Sequence, residues 1–309
     1  MKTITRLIYA AFPVVILALG ALTANGAPGD LFASVNGGPG NGVGSIYQYT
    51  PDGVQSTFAS GLSRPRGLAF DSVGNLFVAT NFLDNTGYHA TILKFTPDGT
   101  QEVFAVIPGS FFAQGVAIDR SDNVFVMAGL VIAHSFLHLD VIFEFTTDGG
   151  RMPFAILPDH PTQSFDLAFD NMGNLFAAAA LNSTIYEFAP DSTRSIFVGP
   201  EAFTDDEGGP IGLAFDAFGN LFVSAAQSTG PGVILKFTPD GAESTFATGL
   251  NNPRGLIFDS VGSLFVAEIP FFATGDILKF ALDGTRTVFA SGIGVPQGFG
   301  GPTFLAIQP

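Results

Sequence analysis

The sequence runs to 309 residues, 47% hydrophobic and only 13% charged, with 38 glycines, 34 phenylalanines and neither cysteine nor tryptophan. A formal charge of −15 lacks the basic footprint of a nucleic-acid binder and would be repelled by an anionic membrane, so neither is expected as a partner. Without cysteine there can be no disulfide, thiolate metal site, cysteine nucleophile or lipidated N-terminal cysteine.

Residues 1–26 read as a secretory signal. Lys2 and Arg6 precede an apolar stretch from Leu7 to Leu22, and Ala24 and Gly26 suit the small-residue positions before a cut at Ala27. The alternative, an uncleaved anchor, meets the objection that Tyr9 and Pro13 interrupt a run already short of the roughly 20 residues of a span. Cleavage removes both cations and takes the charge from −15 to −17. The expectation is a secreted or periplasmic monomer with no membrane span after cleavage.

From residue 27 onward the chain repeats itself. GLAFDSVGNLFVAT (Gly67–Thr80), a variable loop and TILKFTPDGTQEVFA (Thr91–Ala105) form one unit. Its first half returns from Gly115, Asp166, Gly212 and Gly255; its second half returns as SIYQYTPDG, VIFEFTTDG, TIYEFAPDS, VILKFTPDG and DILKFALDG. The repeated Asp71, Asp119, Asp170, Asp216 and Asp259 stand 48, 51, 46 and 43 residues apart. That period fits a four-stranded propeller blade rather than a helical solenoid. The first three strands of each unit are near-continuous apolar runs, as expected where both faces are covered; the fourth mixes polar residues with Phe and should lie outermost. Nearly all the phenylalanines are read as filling between blades.

The first unit begins at GDLFASV (Gly29–Val35) and lacks an innermost strand. Aligning Phe304–Gln308 with Gly67–Asp71 lets the C-terminus supply it. The expected fold is therefore all-β, a six-bladed propeller of four-stranded antiparallel blades over 27–309, with its ring closed by a C-terminal strand in the N-terminal blade.

The pattern P-x-G-L-A-F-D-x-x-G-N-L-F-V-A followed by I-x-K-F-T-P-D-G resembles NHL-type repeats and the SMP-30/gluconolactonase-like propellers over the whole of 27–309. The resemblance implies architecture more than activity, because this fold hosts lactonases, lyases and binding proteins. SMP-30-like lactonases hold a divalent cation at the channel mouth through carboxylates and an Asn in motifs resembling E-G-P and P-N-G. Here the P-N-G slot holds Pro65–Arg66–Gly67 and Pro253–Arg254–Gly255, and no E-G-P opens the first blade.

Two acidic motifs, D-x-x-G-N and P-D-G, invite a calcium reading. Turn chemistry explains both more simply, since Asp accepts nearby backbone amides and Gly or Asn tolerates the left-handed conformation. These short turns share one face of the ring; the long variable loops share the other, and a rigid scaffold carries function on such loops. Its candidates at the channel mouth are Arg66, Gln114, Asp166, Arg254 and Thr303, joined by Thr80 and Glu268 from the second strands. Asp166 replaces a repeat glycine. The two arginines favour an anionic ligand, or else pair between blades with Glu268 or Asp166. His89, His134, His138 and His160 all fall in variable segments and are the candidate metal ligands, although H-E-x-x-H is absent. Phe82, Phe111, Phe112, Phe136, Leu137, Phe271 and Phe272 form either an exposed patch or a lid.

No G-x-S-x-G elbow is present, and the glycine-rich Gly37–Gly44 has no P-loop lysine. The reading is an exported scaffold that binds a small-molecule or protein ligand on its variable face, with no cofactor required. The alternative is a metal-dependent lactonase with its site at the channel mouth; a lyase with a histidine-bound metal is a third.

Overall fold

Each repeat folds into one antiparallel sheet because its apolar runs are too short for helices and are punctuated by segments rich in Asp, Asn and Gly. The computed structural model describes residues 26–309 save 38–41, 86, 110, 132–137, 148, 158–163, 204–207, 227–230, 271–272 and 295–299. The expected leader, residues 1–26, lies outside the described residues except for Gly26. In chain order the first blade holds β1 (Leu31–Val35), β2 (Val43–Tyr49) and β3 (Gln55–Ser63). The second holds β4 (Leu68–Phe70), β5 (Leu76–Asp84), β6 (Gly87–Phe95) and β7 (Gln101–Ile107), and the third β8 (Phe111–Ile118), β9 (Val124–Val131), β10 (His138–Phe145) and β11 (Arg151–Ile156). The fourth holds β12 (Ser164–Phe169), β13 (Leu175–Ala179), β14 (Thr184–Phe188) and β15 (Arg194–Val198). The fifth holds β16 (Pro210–Phe215), β17 (Leu221–Ala225), β18 (Gly232–Phe237) and β19 (Glu243–Leu250), and the sixth β20 (Pro253–Phe258), β21 (Leu264–Glu268), β22 (Gly275–Phe280) and β23 (Arg286–Ile293). The last strand, β24 (Pro302–Ile307), joins the first blade, whose order is β24-β1-β2-β3.

The protein is thus a six-bladed propeller closed by its C-terminal strand. The closure rebuilds a repeat turn from two chain ends. In the second blade Asp71 N–H bonds Asn75 O (3.0 Å) and Gly74 N–H bonds Asp71 O (3.2 Å); in the first, Gln308 N–H bonds Asp30 O (3.0 Å) and Gly29 N–H bonds Gln308 O (2.9 Å). Asp30 is buried and receives Gln48 Nε2 at 2.6 Å and the Ala27 amide at 2.9 Å.

Packing between blades is aromatic. The second-strand Phe of each blade meets the outer-strand Phe of its own blade edge-on, as in Phe32–Phe58 (5.1 Å), Phe125–Phe154 (5.1 Å) and Phe222–Phe246 (5.1 Å). In four blades it also meets the inner-strand Phe of the next blade, as in Phe32–Phe70 (5.0 Å), Phe125–Phe169 (5.0 Å) and Phe222–Phe258 (4.9 Å), while Ile118 and Ile307 take that place in the other two. Such pairs contribute about 0.5–1.5 kcal/mol each beyond the area they bury. Phe218 departs from the expectation of a buried Phe, being 82% exposed. Outer strands are exposed along their first residues, as expected for the water-facing edge.

At the hub the inner strands approach backbone to backbone, and this is why the repeat begins with glycine. A Cβ on Gly67 would lie 2.4 Å from Gln114 O, one on Gly115 2.8 Å from Asp166 Cα, and one on Gly255 2.9 Å from Phe304 Cα. Each neighbour belongs to the next blade. The ring position is glycine in four blades; Asp166 and Phe304, on opposite blades, are its two side-chain-bearing members.

Candidate functional site

The glycine ring divides the central channel into two unequal openings. Toward the short turns the inner strands enclose a cavity of about 520 Å³, lined by residues such as Ala69, Ile118, Phe169 and Ile257 and rimmed by Asp71, Asp119, Arg120 and Asp122. Toward the variable loops the described residues line a recess of about 20 Å³, among them Arg66, Phe165, Asp166, Ile211, Arg254 and Thr303. Of these two openings, the larger lies on the face opposite the one that loop variability singles out. Side chains at the position before the ring glycine turn inward and narrow the variable-face mouth.

The short-turn rim is structural. Asp71 accepts the amides of Val73 (3.1 Å) and Asn75 (2.7 Å) on one oxygen and Asn75 Nδ2 (2.6 Å) on the other. Asp119, Asp170 and Asp216 repeat this arrangement, and Asp259 repeats its amide bonds with Ser263 in place of Asn. These carboxylates are occupied by their own turns. The third residue of several of these turns is apolar and exposed: Val73 at 69%, Met172 at 78%, Phe218 at 82% and Val261 at 68%.

On the variable face, four of the candidates, from four different blades, meet in the small recess: Arg66, Asp166, Arg254 and Thr303. The guanidinium of Arg66 lies 5.2 Å from the Phe112 ring, and that of Arg254 lies 5.7 Å from the Phe165 ring. Phe112 is held edge-on by Tyr88 (5.2 Å), over which Arg64 lies at 5.9 Å. The Nε atoms of Arg66 and Arg254 are both buried without an acceptor, and Gln114 Oε1, one blade on from Arg66, is buried without a donor. Neither arginine has an ion pair among the described residues. Burial, then the charges of Arg254 and Arg64, lowers the Arg66 pKa to about 10; burial lowers Arg254 to about 10 as well.

Asp166 does not neutralise them. Its Oδ1 accepts the amide of Leu167 (2.9 Å) and its Oδ2 the amide of Leu213 on the next blade (3.1 Å). Burial raises its pKa to about 7 against the opposing pull of those two amides. Glu268 is buried and accepts the Asn251 amide at 2.7 Å; burial raises its pKa also, with that amide and Arg286 working the other way. Inter-blade pairing of the arginines with either carboxylate does not occur. Thr80 donates to Thr91 O (3.0 Å) within the second blade, so it and Glu268 serve their own blades and do not line the recess. Thr303 donates to Ser34 O (3.2 Å) across the closure.

The histidines do not assemble within the described residues. His89 Nε2 lies 3.1 Å from Asp84 Oδ1 in the β5–β6 hairpin. His138 opens β10 opposite Val131, its side chain outside the described residues, where His134 and His160 also lie. Among the described residues no three His, Cys, Asp or Glu side chains are grouped to hold a metal. The described recess, with two cations and one carboxylate turned to backbone amides, does not fit a divalent cation. Of the apolar loop residues, Phe111 packs on Phe143 (5.4 Å) and Phe112 on Tyr88, while Phe82 is exposed; Phe136, Leu137, Phe271 and Phe272 lie outside the described residues.

Comparison with solved structures agrees with the strand order. The fold is that of the six-bladed propellers. A protein of unknown function from Bacteroides caccae is 15% identical with a TM-score of 0.61, covering 91% of this chain and 99% of its own. Virginiamycin B lyase from Staphylococcus aureus is 16% identical with a TM-score of 0.54, covering 78% and 73%. Regucalcin from Agrobacterium tumefaciens, a calcium-binding protein, is 16% identical with a TM-score of 0.56, covering 79% and 78%. No family model and no curated protein matches the sequence. At these identities the likeness is one of architecture.

Sequence reasoning found the arginine positions from the repeat alignment. It missed Tyr88 and Arg64 as part of the wall beside Arg66, because long β5 and β6 carry Tyr88 beyond the repeat. It also missed the wider opening opposite, lined by the inner strands of several blades.

Proposed function

We propose that this chain is an exported binding scaffold that receives its ligand on the variable-loop face, at the mouth lined by Arg66 and Arg254. One observation carries the reading: Arg66, Gln114 and Arg254 occupy equivalent positions on three blades, and each keeps a buried polar atom without a partner. Buried polar groups in folded proteins are overwhelmingly satisfied, so two cationic donors left open in one recess mark a place where something docks. A rigid ring carrying variable loops is the usual support for such a site. The lactonase alternative would need carboxylates free to converge on a cation, whereas Asp166 and Glu268 both hold backbone amides.

A thermal-shift screen of small molecules and peptides, run beside a lactone and ester hydrolysis assay with added divalent metals, tests the proposal. Saturable stabilisation without turnover, lost on substituting Arg66 or Arg254, is the expected result. Metal-dependent turnover abolished by Asp166→Ala would replace the scaffold with the enzyme. N-terminal sequencing of protein recovered outside the cytoplasm should begin at Ala27 if the export reading holds.

A further inference from the structure

Resting on that reading, we infer that the recess between Arg66 and Arg254 is an anion site for a compact carboxylate head group.

Two cations are brought to one mouth from the second and sixth blades, each laid beside a phenylalanine. A ring contact stabilises a guanidinium by about 0.5–2 kcal/mol but leaves its in-plane N–H donors free. Both Nε donors are buried and unfilled. A buried charged donor without an acceptor is destabilising, and two like charges converging make it worse. A structural arginine would be paired, and the carboxylate able to pair these lines the same recess. Asp166 instead gives both oxygens to the amides of Leu167 and Leu213. The protein thus supplies the donors and the positive field while withholding the counterion.

Shape narrows the class. Nε–H and the adjacent Nη–H of an arginine form a fork that matches the two oxygens of a planar carboxylate. A recess of about 20 Å³ admits roughly one water-sized group. A flat head group can enter tip first while the rest of the ligand stays among the variable loops; a tetrahedral phosphate or sulfate cannot seat as deeply.

The test uses the full chain from Ala27, with melting temperature followed at constant ionic strength in formate, acetate, chloride, phosphate or sulfate. Formate and acetate should raise Tm by roughly 2–3 °C at ten times their Kd. Arg66→Gln and Arg254→Gln should abolish that rise while melting no lower than the native protein in the chloride buffer, since each removes a buried Nε donor that has no acceptor. Arg66→Lys should lose most of the response, because a lysine has no fork. Saturation-transfer NMR of formate on the native protein gives a readout that needs no variant to fold. An absent carboxylate response, an equal response in the glutamine variants, or an equal response to chloride or phosphate would overturn the inference. Should these anions fail while the broader screen still yields a loop-face ligand, the scaffold stands and only the carboxylate assignment falls. Should neither bind, both fall.

Discussion

Asp166 accepts the backbone amide of Leu213, on the neighbouring blade, at 3.1 Å. Where other blades place a glycine and let two backbones touch, this junction inserts a carboxyl group and bridges the blades through it. Burial raises the folded-state pKa to about 7, against about 3.9 for an unperturbed Asp. Between those values the folded state holds a proton that the unfolded chain has lost, so this group's contribution to stability falls as pH rises from about 4 to about 7. The difference amounts to at most about 4 kcal/mol. Asp166→Gly should flatten that slope. Urea unfolding at pH 5 and pH 8 checks it: the native protein should lose more stability than the variant on going to pH 8.

Gly67→Ala tests the hub. Its new Cβ would meet backbone atoms of the next blade at 2.4–2.8 Å, where no flexible side chain can yield. A loss of about 1–3 kcal/mol or more is expected from overpacking against a rigid neighbour. Gly241→Ala, at φ +83° in open space, carries backbone strain alone and should lose about 1–2 kcal/mol. Chemical denaturation of the two variants would show whether contact at the hub outweighs strain at a turn.

The turn aspartates should be indifferent to calcium. Asp71→Ala removes the acceptor for two amides and for Asn75 Nδ2, and about 1–3 kcal/mol should go with it. Millimolar calcium should shift neither the native melting temperature nor that of the variant. A calcium-dependent rise in the native protein, lost in Asp71→Ala, would make the repeated turn a metal site instead.

Serine at the exposed turn tips should leave stability almost unchanged. Met172 and Phe218 stand 78% and 82% exposed on the short-turn face, so Met172→Ser and Phe218→Ser should each alter unfolding free energy by less than about 0.5 kcal/mol. Equilibrium denaturation decides this directly.

The architecture was legible because turn chemistry repeats. Asp71 and its four counterparts mark five of the six blades, and the missing first strand at Gly29 is matched by a surplus one at Phe304. Position in a repeat also pointed to Arg66 and Arg254. What the sequence could not give was their company. Whether Asp166 turns toward a guanidinium or toward the Leu213 amide depends on inter-blade spacing at one junction, which no local pattern encodes. Thr80 and Glu268 illustrate the same limit: they share a level in the repeat with the mouth, yet hydrogen bonding draws them into their own blades.

The turn shared by Asp30 and Gln308 carries a consequence for how the molecule comes into being. Gln308 follows Asp30 by 278 residues, so the first blade waits for a strand made long after its other three, and until then the chain is an open arc with one edge of β1 bare. It becomes a ring only when Gln308 reaches Asp30. In the finished ring that seam repeats the hydrogen bonds of its neighbours, with Phe304 at the ring position that glycine holds in four other blades. A short linker from Pro309 to Ala27, with new ends opened at the Asp98–Gly99 turn, should yield a circular permutant with the same six blades, whose last blade to close is the second.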